Sequence, residues 1–405
     1  MKNLIVVHIA CTAILASCSN PQETPLVEPL ALPTQNSSSL PRLFTNAKGE
    51  TFLSWVERNP EKVAKLYFSK LKDGQWQSPR LIAEGSNWFI NWADFPSVIE
   101  NNELMAAHWL QKSEKGTYDY DIQVAFSNNS GNNWQAPITP HKDGISAEHG
   151  FVTMLPLEDQ KTFVTWLDGR NTKGDHAKDG GHGGAGAMTL RAAIFDSEGE
   201  TLEEWELDDR VCDCCQTAAA QTKDGLVVVY RDRSEGEIRD MSVVRYVNGE
   251  WTKPQPLKVE MWEMPACPVN GPSITAQGNQ LAVAWFMAKG GYPEVKLAFS
   301  QDGGATFGEA VVVSHGTTNG RVGTTTLNNG NVLVSWLETA DDTAKIMLAK
   351  YDRTGTLLKR MTIAETSAAR ASGFPVLTSN GEDIYMAWTQ ADEQTSIKTA
   401  KVNFE

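Results

Sequence analysis

The sequence predicts an all-β protein built from repeats of one small sheet. Three observations carry this prediction: a recurring apolar strand that ends in an aromatic residue, short glycine turns, and no sustained helical period anywhere. The aromatic residues are Trp55, Trp109, Trp166, Tyr230, Trp285, Trp336 and Trp388. Their spacings are 54, 57, 64, 55, 51 and 52 residues. A period of this length is typical of a repeat architecture.

Each repeat uses the same order of strand, turn and strand. The hairpin turns include Asp224-Gly225, Asn329-Gly330 and Asn380-Gly381, which supply the positive φ that two-residue turns require. The strands that follow, such as Leu281–Trp285 and Val332–Trp336, alternate and are too short for helices. Because the pattern continues throughout, residues 41–405 are predicted to form a single domain.

Two later turns resemble the Asp box, Ser-x-Asp-x-Gly-x-x-Trp. They are Ser127–Trp134, in which Asn129 replaces the acid, and Ser300–Phe307, in which Phe307 replaces the tryptophan. In such a turn a short acid caps backbone amides and glycine takes the strained φ. On these turns the chain resembles the sialidase-like β-propeller superfamily, also called Asp-box or BNR-repeat proteins. The resemblance implies four-stranded blades around a central channel.

The number of aromatic strands favours seven blades. Sialidases themselves have six, so six blades with an extra strand pair are the alternative. The last repeat has only three strands after Gly373. We therefore expect an N-terminal segment, around Leu26–Leu32 or Leu43, to complete that blade and close the ring.

The N-terminus has the pattern of a bacterial lipoprotein signal. Lys2 precedes a short apolar run, and Leu-Ala-Ser-Cys then resembles a lipobox that ends at Cys18. Residues 1–17 are predicted to be the signal peptide and Cys18 the lipidated first residue. Ser19 follows it, where an aspartate would favour the inner membrane, so the outer membrane is expected. Residues 18–40 have the Pro-, Ser- and Thr-rich composition of a flexible tether.

The charge of the chain limits its partners. Loss of the signal peptide removes Lys2, which moves the formal net charge from −14 to −15. An acidic surface disfavours nucleic acid. No glycine-rich phosphate loop is present, so no nucleotide cofactor is expected. We expect a monomer that is attached to the membrane through its lipid and binds a glycan or another carboxylate-bearing ligand.

Loops at one face of a propeller open on the channel, and ligands bind there. A sialidase needs three arginines for the substrate carboxylate, an acid and a Tyr–Glu nucleophile pair. The first arginine motif of the family is missing, and its nearest equivalent is Ser39–Leu43 with a displaced Arg42. No Tyr–Glu pair can be assigned. The expected function is glycan-directed, as an exo-sialidase-like glycoside hydrolase or a carbohydrate-binding protein.

Channel-face loops supply the candidate residues for that function. The candidate catalytic residues are Asp94, Glu148 and Glu237. The candidate substrate-binding residues are Arg170, Arg231, Arg239, Arg321, His149 and Asn270. For the arginines the alternative is a solvated rim of ion pairs, and for Asp94 and Glu148 it is loop capping.

Four cysteines form the most unusual local feature. They are Cys212, Cys214, Cys215 and Cys267. Cys267 follows Cys215 by 52 residues, about one repeat, so the register places all four on adjacent channel-face loops. We expect two disulfides, Cys212–Cys215 with Cys214–Cys267 or Cys212–Cys214 with Cys215–Cys267.

Two alternatives to the disulfides remain open. Free or redox-active thiols are one. The other is a zinc or copper thiolate site in a non-catalytic, metal-handling lipoprotein. Histidines available to such a site are His149, His176 and His182.

Overall fold

A computed structural model describes residues 26–34, 37–173 and 186–404. Within these ranges the chain forms seven antiparallel sheets arranged as the blades of one ring, which confirms the predicted seven-bladed β-propeller. The predicted signal peptide, the lipidated Cys18, His176 and His182 lie outside the described residues. Among the residues described, no helix is long and apolar enough to cross a bilayer. The described ranges contain four single-turn 3-10 helices, at Glu158–Gln160, Arg170–Thr172, Lys289–Gly291 and Arg370–Ser372.

The strands succeed one another from the channel outward in each blade. The first strand that the structure describes is β1 (Val27–Leu30). Blade 1 contains β2 (Ser37–Thr45), β3 (Thr51–Arg58), β4 (Ala64–Lys72), β5 (Gln75–Trp76) and β6 (Arg80–Gly85). Blade 2 contains β7 (Ser97–Asn101), β8 (Leu104–Lys112) and β9 (Tyr120–Ser127), and Ile138 bridges to its outer strand. Blade 3 contains β10 (His149–Pro156), β11 (Thr162–Asp168), β12 (Met188–Phe195) and β13 (Thr201–Val211).

The second half of the ring repeats this order. Blade 4 contains β14 (Ala218–Gln221), β15 (Gly225–Arg231), β16 (Met241–Val247), β17 (Glu250–Trp251) and β18 (Gln255–Pro256). Blade 5 contains β19 (Ser273–Gln277), β20 (Gln280–Met287), β21 (Glu294–Ser300) and β22 (Val311–His315). Blade 6 contains β23 (Thr318–Thr326), β24 (Val332–Ala340), β25 (Thr343–Tyr351) and β26 (Leu357–Ser367). Blade 7 contains β27 (Val376–Ser379), β28 (Ile384–Ala391) and β29 (Thr395–Val402).

The ring closes through the N-terminal strand. β1 pairs antiparallel with β29, from Val27 opposite Val402 to Leu30 opposite Thr399. The Thr399 hydroxyl donates to the Leu30 carbonyl at 2.7 Å and accepts from the Trp76 indole of blade 1 at 2.9 Å. The expectation that a segment near Leu26–Leu32 completes the last blade is therefore confirmed. Both β1 and the start of β2 lie in the stretch whose composition predicted a tether.

The repeating aromatic residues are the centres of the hydrophobic cores between blades. All seven lie on the second strands of their blades and are at most 8% exposed. Three of the tryptophans donate their indole N–H to an acid two residues later. These pairs are Trp55–Glu57 at 3.1 Å, Trp166–Asp168 at 2.9 Å and Trp336–Glu338 at 3.1 Å. The acids near the ends of these strands thus satisfy buried donors within the fold.

The two Asp-box turns lie at the face opposite the channel-face loops. In the second box Ser300 Oγ accepts from the Gly304 amide at 2.9 Å, and Asp302 Oδ1 accepts from the Thr306 amide at 2.9 Å. In the first box Asn129 Oδ1 accepts from the Asn133 amide at 3.0 Å. An asparagine oxygen therefore replaces the acid without loss of the cap, and both turns serve the fold.

Candidate functional site

One phenol joins two carboxyl groups at the channel mouth. The Tyr120 hydroxyl oxygen lies 3.0 Å from Asp94 Oδ2 and 3.0 Å from Glu148 Oε1. Asp94 belongs to the loop before β7, Glu148 immediately precedes β10, and Tyr120 begins β9. Because a phenol has one proton, it donates to one carboxyl group while the other must contribute a proton of its own. The arrangement therefore retains at least one proton on the two acids.

Burial raises the pKa of both acids. The pKa of Asp94 rises to about 7, although hydrogen bonds from the Phe151 amide and Tyr120 act in the opposite direction. The pKa of Glu148 rises to about 8, because burial and the nearby Asp94 outweigh the hydrogen bond from Tyr120. Asp94 is 2% exposed, whereas Glu148 is only partly buried. Glu148 is consequently the acid that a ligand can reach.

An aromatic residue with two arginines lies beside this pair. Trp92 is two residues before Asp94 and stacks on Phe374 with ring centroids 5.9 Å apart. The guanidinium carbons of Arg321 and Arg370 lie 4.7 Å and 6.0 Å from the centre of the Trp92 ring. A partly exposed indole with adjacent cations suits the apolar face of a sugar ring that carries an acidic group.

The central channel contains a cation, Arg42, that is not among the predicted substrate-binding residues. The channel holds a cavity of about 300 Å³ whose lining includes Arg42 and Asp94. The Arg42 guanidinium lies 4.3 Å from the Phe95 ring centre, and burial lowers the pKa of Arg42 to about 10. Among the described residues it has no hydrogen-bond or ion-pair partner. The displaced motif at Ser39–Leu43 was the only signal for it in the sequence.

Two of the predicted substrate-binding arginines are bonded to loops of the protein. Arg231 donates to the carbonyl oxygens of Asn270, Arg239 and Phe286, at 2.6 to 3.1 Å. Arg321 donates to Ser372 Oγ and to the Gly373 carbonyl, both at 2.8 Å.

Asn270, another predicted substrate-binding residue, serves the same loops. Its Oδ1 atom accepts from the backbone amide of Arg321 at 2.7 Å, and its Nδ2 atom donates to the Pro268 carbonyl at 3.1 Å. Arg231, Arg321 and Asn270 thus tie adjacent channel-face loops together, and the structure does not gather them into one clamp.

Glu237 lies in an ion-pair network. It pairs with Arg233 at 2.8 Å and with Arg239 at 2.7 Å, and Arg233 also pairs with Asp213 at 3.0 Å. Burial acts to raise the pKa of Glu237, but the two arginines outweigh burial and lower the pKa below its ordinary value, so the group is ionised. This geometry makes Glu237 a counter-ion. Arg239 is 1% exposed, and its Nε and Nη1 atoms have no partner among the described residues.

His149 lies apart from the acid pair, in a group that we call the His–Asp cluster. The cluster comprises Asp121, His141, Asp143, His149 and Asp168. The two imidazole rings stack in parallel with centroids 3.6 Å apart. Arg170, a predicted ligand residue, is held here by ion pairs to Asp168 at 2.7 Å and Asp143 at 3.3 Å. The cluster shares backbone with the acid pair, since Asp121 follows Tyr120 and His149 follows Glu148.

Charges in the His–Asp cluster give the two histidines different pKa values. Burial lowers the pKa of His149, but Asp121 and Asp168 outweigh it and raise the value to about 9. Burial and the charge of His149 lower the pKa of His141 to about 4. Of these two histidines, only His149 is therefore protonated and positively charged at neutral pH.

The four cysteines meet in a group that we call the thiol cluster. It comprises Cys212, Cys214, Cys215 and Cys267. The sulfur atoms of Cys212, Cys214 and Cys215 lie within 4.8 Å of one another, and Cys212 Sγ is 3.2 Å from Cys215 Sγ. Cys214 also interacts with the thiol of Cys267 from the next blade. The spacing of about one repeat between Cys215 and Cys267 thus predicted that these loops meet. The histidines of the His–Asp cluster do not belong to the thiol cluster.

Positive charge surrounds the thiol cluster. Burial raises the pKa of Cys212 to about 11, while the nearby Arg239 acts to lower it. Burial also raises the pKa of Cys215, but hydrogen bonds from the other thiols and the charge of Arg231 bring it well below its ordinary value. The fold therefore stabilises a thiolate at Cys215.

No protein-family profile matches the sequence, and no curated protein sequence matches it. An ulvan lyase bound to -[GlcA(1-4)Rha3S]- is similar in structure, with a TM-score of 0.52 and 13% identity over 91% of this chain and 94% of the lyase. A puromycin-hydrolyzing peptidase of Mycobacterium tuberculosis has a TM-score of 0.52 and 11% identity over 89% of this chain and 51% of its own. The NanB sialidase of Streptococcus pneumoniae has a TM-score of 0.49 and 8% identity over 93% of this chain and 94% of its own. The predicted propeller architecture is confirmed by the seven-bladed ring, and the ulvan lyase and the peptidase resemble this chain in fold.

Proposed function

We propose that the protein binds an acidic glycan at the channel mouth and acts on it with Glu148 as the proton donor. One observation carries the proposal: Tyr120 is shared by Glu148 and Asp94 from neighbouring blades. Glycoside cleavage requires a protonated acid beside the scissile oxygen. A carboxyl group that shares a phenol proton with a second acid meets that requirement.

Asp94 acts through Tyr120 in this proposal. Its two oxygens accept from the Phe151 amide at 2.7 Å and from Tyr120 at 3.0 Å, and it is 2% exposed. It is therefore a positioning residue that fixes the phenol. Tyr120 is fully buried, so it orients Glu148 and is unsuited to attack a sugar carbon.

Arg42 and Trp92 give the proposed ligand its class. Arg42 offers an unpaired cation in the channel, and Trp92 offers a ring beside the acids. The lyase that shares this fold was determined with a saccharide that contains glucuronic acid. Saccharides with a carboxylate are therefore the first class to test, and the protein is proposed to meet them at the cell envelope.

The test is a screen of the purified chain against acidic and neutral glycans, by binding and by product analysis. Glu148→Gln should still bind any glycan that the screen identifies as a ligand. Its turnover should fall by roughly 10²–10⁴-fold, the usual contribution of a general acid. Trp92→Ala should weaken binding by roughly tenfold. Glu309→Gln is the matched control, because its side chain is fully exposed and pairs with Lys258, which is not part of the proposed site. A failure to bind any acidic glycan would overturn the proposal.

Membrane attachment through Cys18 is a separate part of the proposal. Cys18→Ala should move the protein from the membrane fraction to the soluble envelope fraction, since the acyl chain is the only anchor that the sequence predicts. A variant that remains in the membrane fraction at high salt would contradict the lipobox interpretation.

A second candidate function, metal binding by thiols, is favoured by the convergence of all four cysteines. Two disulfides require two separate sulfur pairs, whereas Cys214 interacts with each of the other three thiols. Sulfur ligands select copper(I) or zinc. Alkylation in denaturant and chelator, without reductant, should add four groups to the described cysteines, and the native sample should contain bound copper or zinc. No alkylation before reduction would show two disulfides and remove this candidate.

A further inference from the structure

We propose that Asp121, His141 and His149 form a binding site for one divalent transition-metal ion. The site is separate from the thiol cluster, and the inference does not depend on the proposed glycan activity. Two imidazole nitrogens and one carboxylate are a ligand set that Zn²⁺, Fe²⁺ and Co²⁺ accept, with positions left for water or substrate.

The three ligand atoms already lie close together. Asp121 Oδ1 is 3.6 Å from His149 Nδ1 and 4.0 Å from His141 Nε2, and all three atoms lie within 4.8 Å of one another. Ligands at about 2.1 Å around a tetrahedral ion stand about 3.4 Å apart. Modest movements of a few tenths of an ångström bring the oxygen into range. The parallel imidazole rings must also tilt so that their nitrogens converge on one ion.

A buried and unpartnered nitrogen points toward the proposed ion. His149 is fully buried, and its Nδ1 atom has no hydrogen-bond partner among the described residues. The nearest acidic oxygen, Asp121 Oδ1, lies 3.6 Å away, beyond hydrogen-bond distance, and a bound ion would replace the proton that His149 carries on this nitrogen. His141 Nε2 accepts a long 3.3 Å bond from the Ile122 amide, so an ion bound at this nitrogen would have to displace that weak hydrogen bond.

The opposite edges of both rings are held by carboxylates. Asp143 Oδ2 lies 3.1 Å from His149 Nε2 and 3.6 Å from His141 Nδ1. Asp168 Oδ1 lies 3.5 Å from His149 Nε2, and Arg170 fixes both acids. Carboxylate–histidine–metal chains of this kind set the tautomer and orientation of ligand imidazoles. The cluster therefore supplies carboxylate partners for the far edges of both imidazoles, in addition to the three proposed ligands.

Access to the site is from the Asp121 side. The side chain of Asp121 is 29% exposed, whereas those of His141 and His149 are 3% and 0% exposed. An ion held between them would keep its open positions toward solvent. Catalytic metal sites show this pattern of three protein ligands and an open position.

Cobalt(II) titration of the full purified chain distinguishes this site from the thiol cluster. Thiolate ligands give strong near-ultraviolet charge-transfer bands with Co²⁺, while nitrogen and oxygen ligands give only weak visible bands. The expected result is one equivalent of Co²⁺ with weak visible bands that persist in Cys212→Ser. Binding with thiolate bands alone, or no Co²⁺ bound at all, would overturn the inference.

Variants then assign the ligands. Asp121→Asn changes a partly exposed side chain, so the chain should remain folded while Co²⁺ affinity falls. Asp143→Asn should lower the affinity roughly 10–100-fold as an outer-shell change. Asp119→Asn is the matched control, because Asp119 lies on the same segment but pairs with Lys173. With Cu²⁺ as the probe, electron paramagnetic resonance should show two nitrogen couplings, and His141→Asn should remove one. Unchanged Co²⁺ affinity in Asp121→Asn and unchanged couplings in His141→Asn would contradict the assignment.

Discussion

At the residue scale, Asp94 has a structural role and a proposed functional role. Its carboxylate accepts from the amide of Phe151, a non-glycine residue at φ 54°. That left-handed backbone costs about 1–2 kcal/mol, and the buried hydrogen bond offsets part of the cost. The same carboxylate fixes Tyr120. One buried acid thus holds the bulge within β10 and orients the phenol of the proposed site.

Asp94 should also make stability depend on pH. Its pKa rises from 3.8 in the ordinary state to about 7 in the folded protein. Between these values the folded chain holds a proton that the unfolded chain releases, so the free energy of unfolding falls as pH rises from about 4 to about 7. Asp94→Asn should remove up to about 4 kcal/mol of this dependence, measured by denaturant unfolding at a series of pH values.

Asp302 provides the opposite control for this experiment. Its pKa falls to about 2 because hydrogen bonds from Thr306 and Ser300 outweigh the effect of burial. Stability from Asp302 is therefore present above pH 4 and lost as pH falls toward 2. Asp302→Asn should leave the slope between pH 4 and pH 7 unchanged. An equal slope in wild type and Asp94→Asn would show that Asp94 ionises normally.

At the element scale, β1 is the short strand that closes the ring. It is four residues long, yet it covers the edge of β29 and brings the Leu30 carbonyl to Thr399. An uncovered strand edge is a site of instability and of association between chains. The N-terminal segment therefore closes the ring as well as linking it to the predicted lipid anchor.

Deletion of residues 26–34 should expose this edge. The expected loss is roughly 2–5 kcal/mol of unfolding free energy, from a few backbone hydrogen bonds and two partly buried leucines. Thermal unfolding should show a lower Tm, and size-exclusion chromatography should show self-association. Leu26→Ser, at a half-exposed side chain beside β1, should leave both properties unchanged. A deletion variant with the Tm of wild type would show that β1 adds nothing to the ring.

At the scale of the whole molecule, the central channel brings together residues from all seven blades. Arg42 contributes an unpaired guanidinium to this cavity of about 300 Å³. Enclosing a cation without a partner is unfavourable, and the fold tolerates such a cost where a ligand supplies the missing charge. Arg42 is therefore expected to favour ligand binding at the expense of stability.

Arg42→Met should separate the two effects. The free energy of unfolding should rise by about 1 kcal/mol, while affinity for a carboxylate-bearing ligand falls by about 1.5–3 kcal/mol, the scale of a charged hydrogen bond. Calorimetric titration and denaturant unfolding measure the two quantities. Arg231→Met is the control, because Arg231 is a buried arginine that donates to several carbonyl oxygens, so its loss should destabilise. Destabilisation by Arg42→Met would contradict this account.

The sequence by itself determined the repeat, the strand order, the ring closure and the meeting of the cysteines. Each depends on periodicity: aromatic residues about fifty positions apart mark equivalent places, and a one-period offset places Cys215 and Cys267 side by side. The Asp boxes likewise follow from local turn chemistry, even where Asn129 replaces the acid. Local and periodic constraints act along the chain, so the sequence displays them directly.

Only the tertiary structure decided which side chains face one another. Tyr120 has no motif around it, yet it contacts acids from two loops. His141 was not a candidate, but it stacks on His149. Arg231 and Arg321 were candidates for a ligand, but backbone carbonyl groups already occupy them. These contacts depend on strand register, on blade tilt and on which polar groups burial leaves unsatisfied, and those quantities arise only when seven blades pack around one channel.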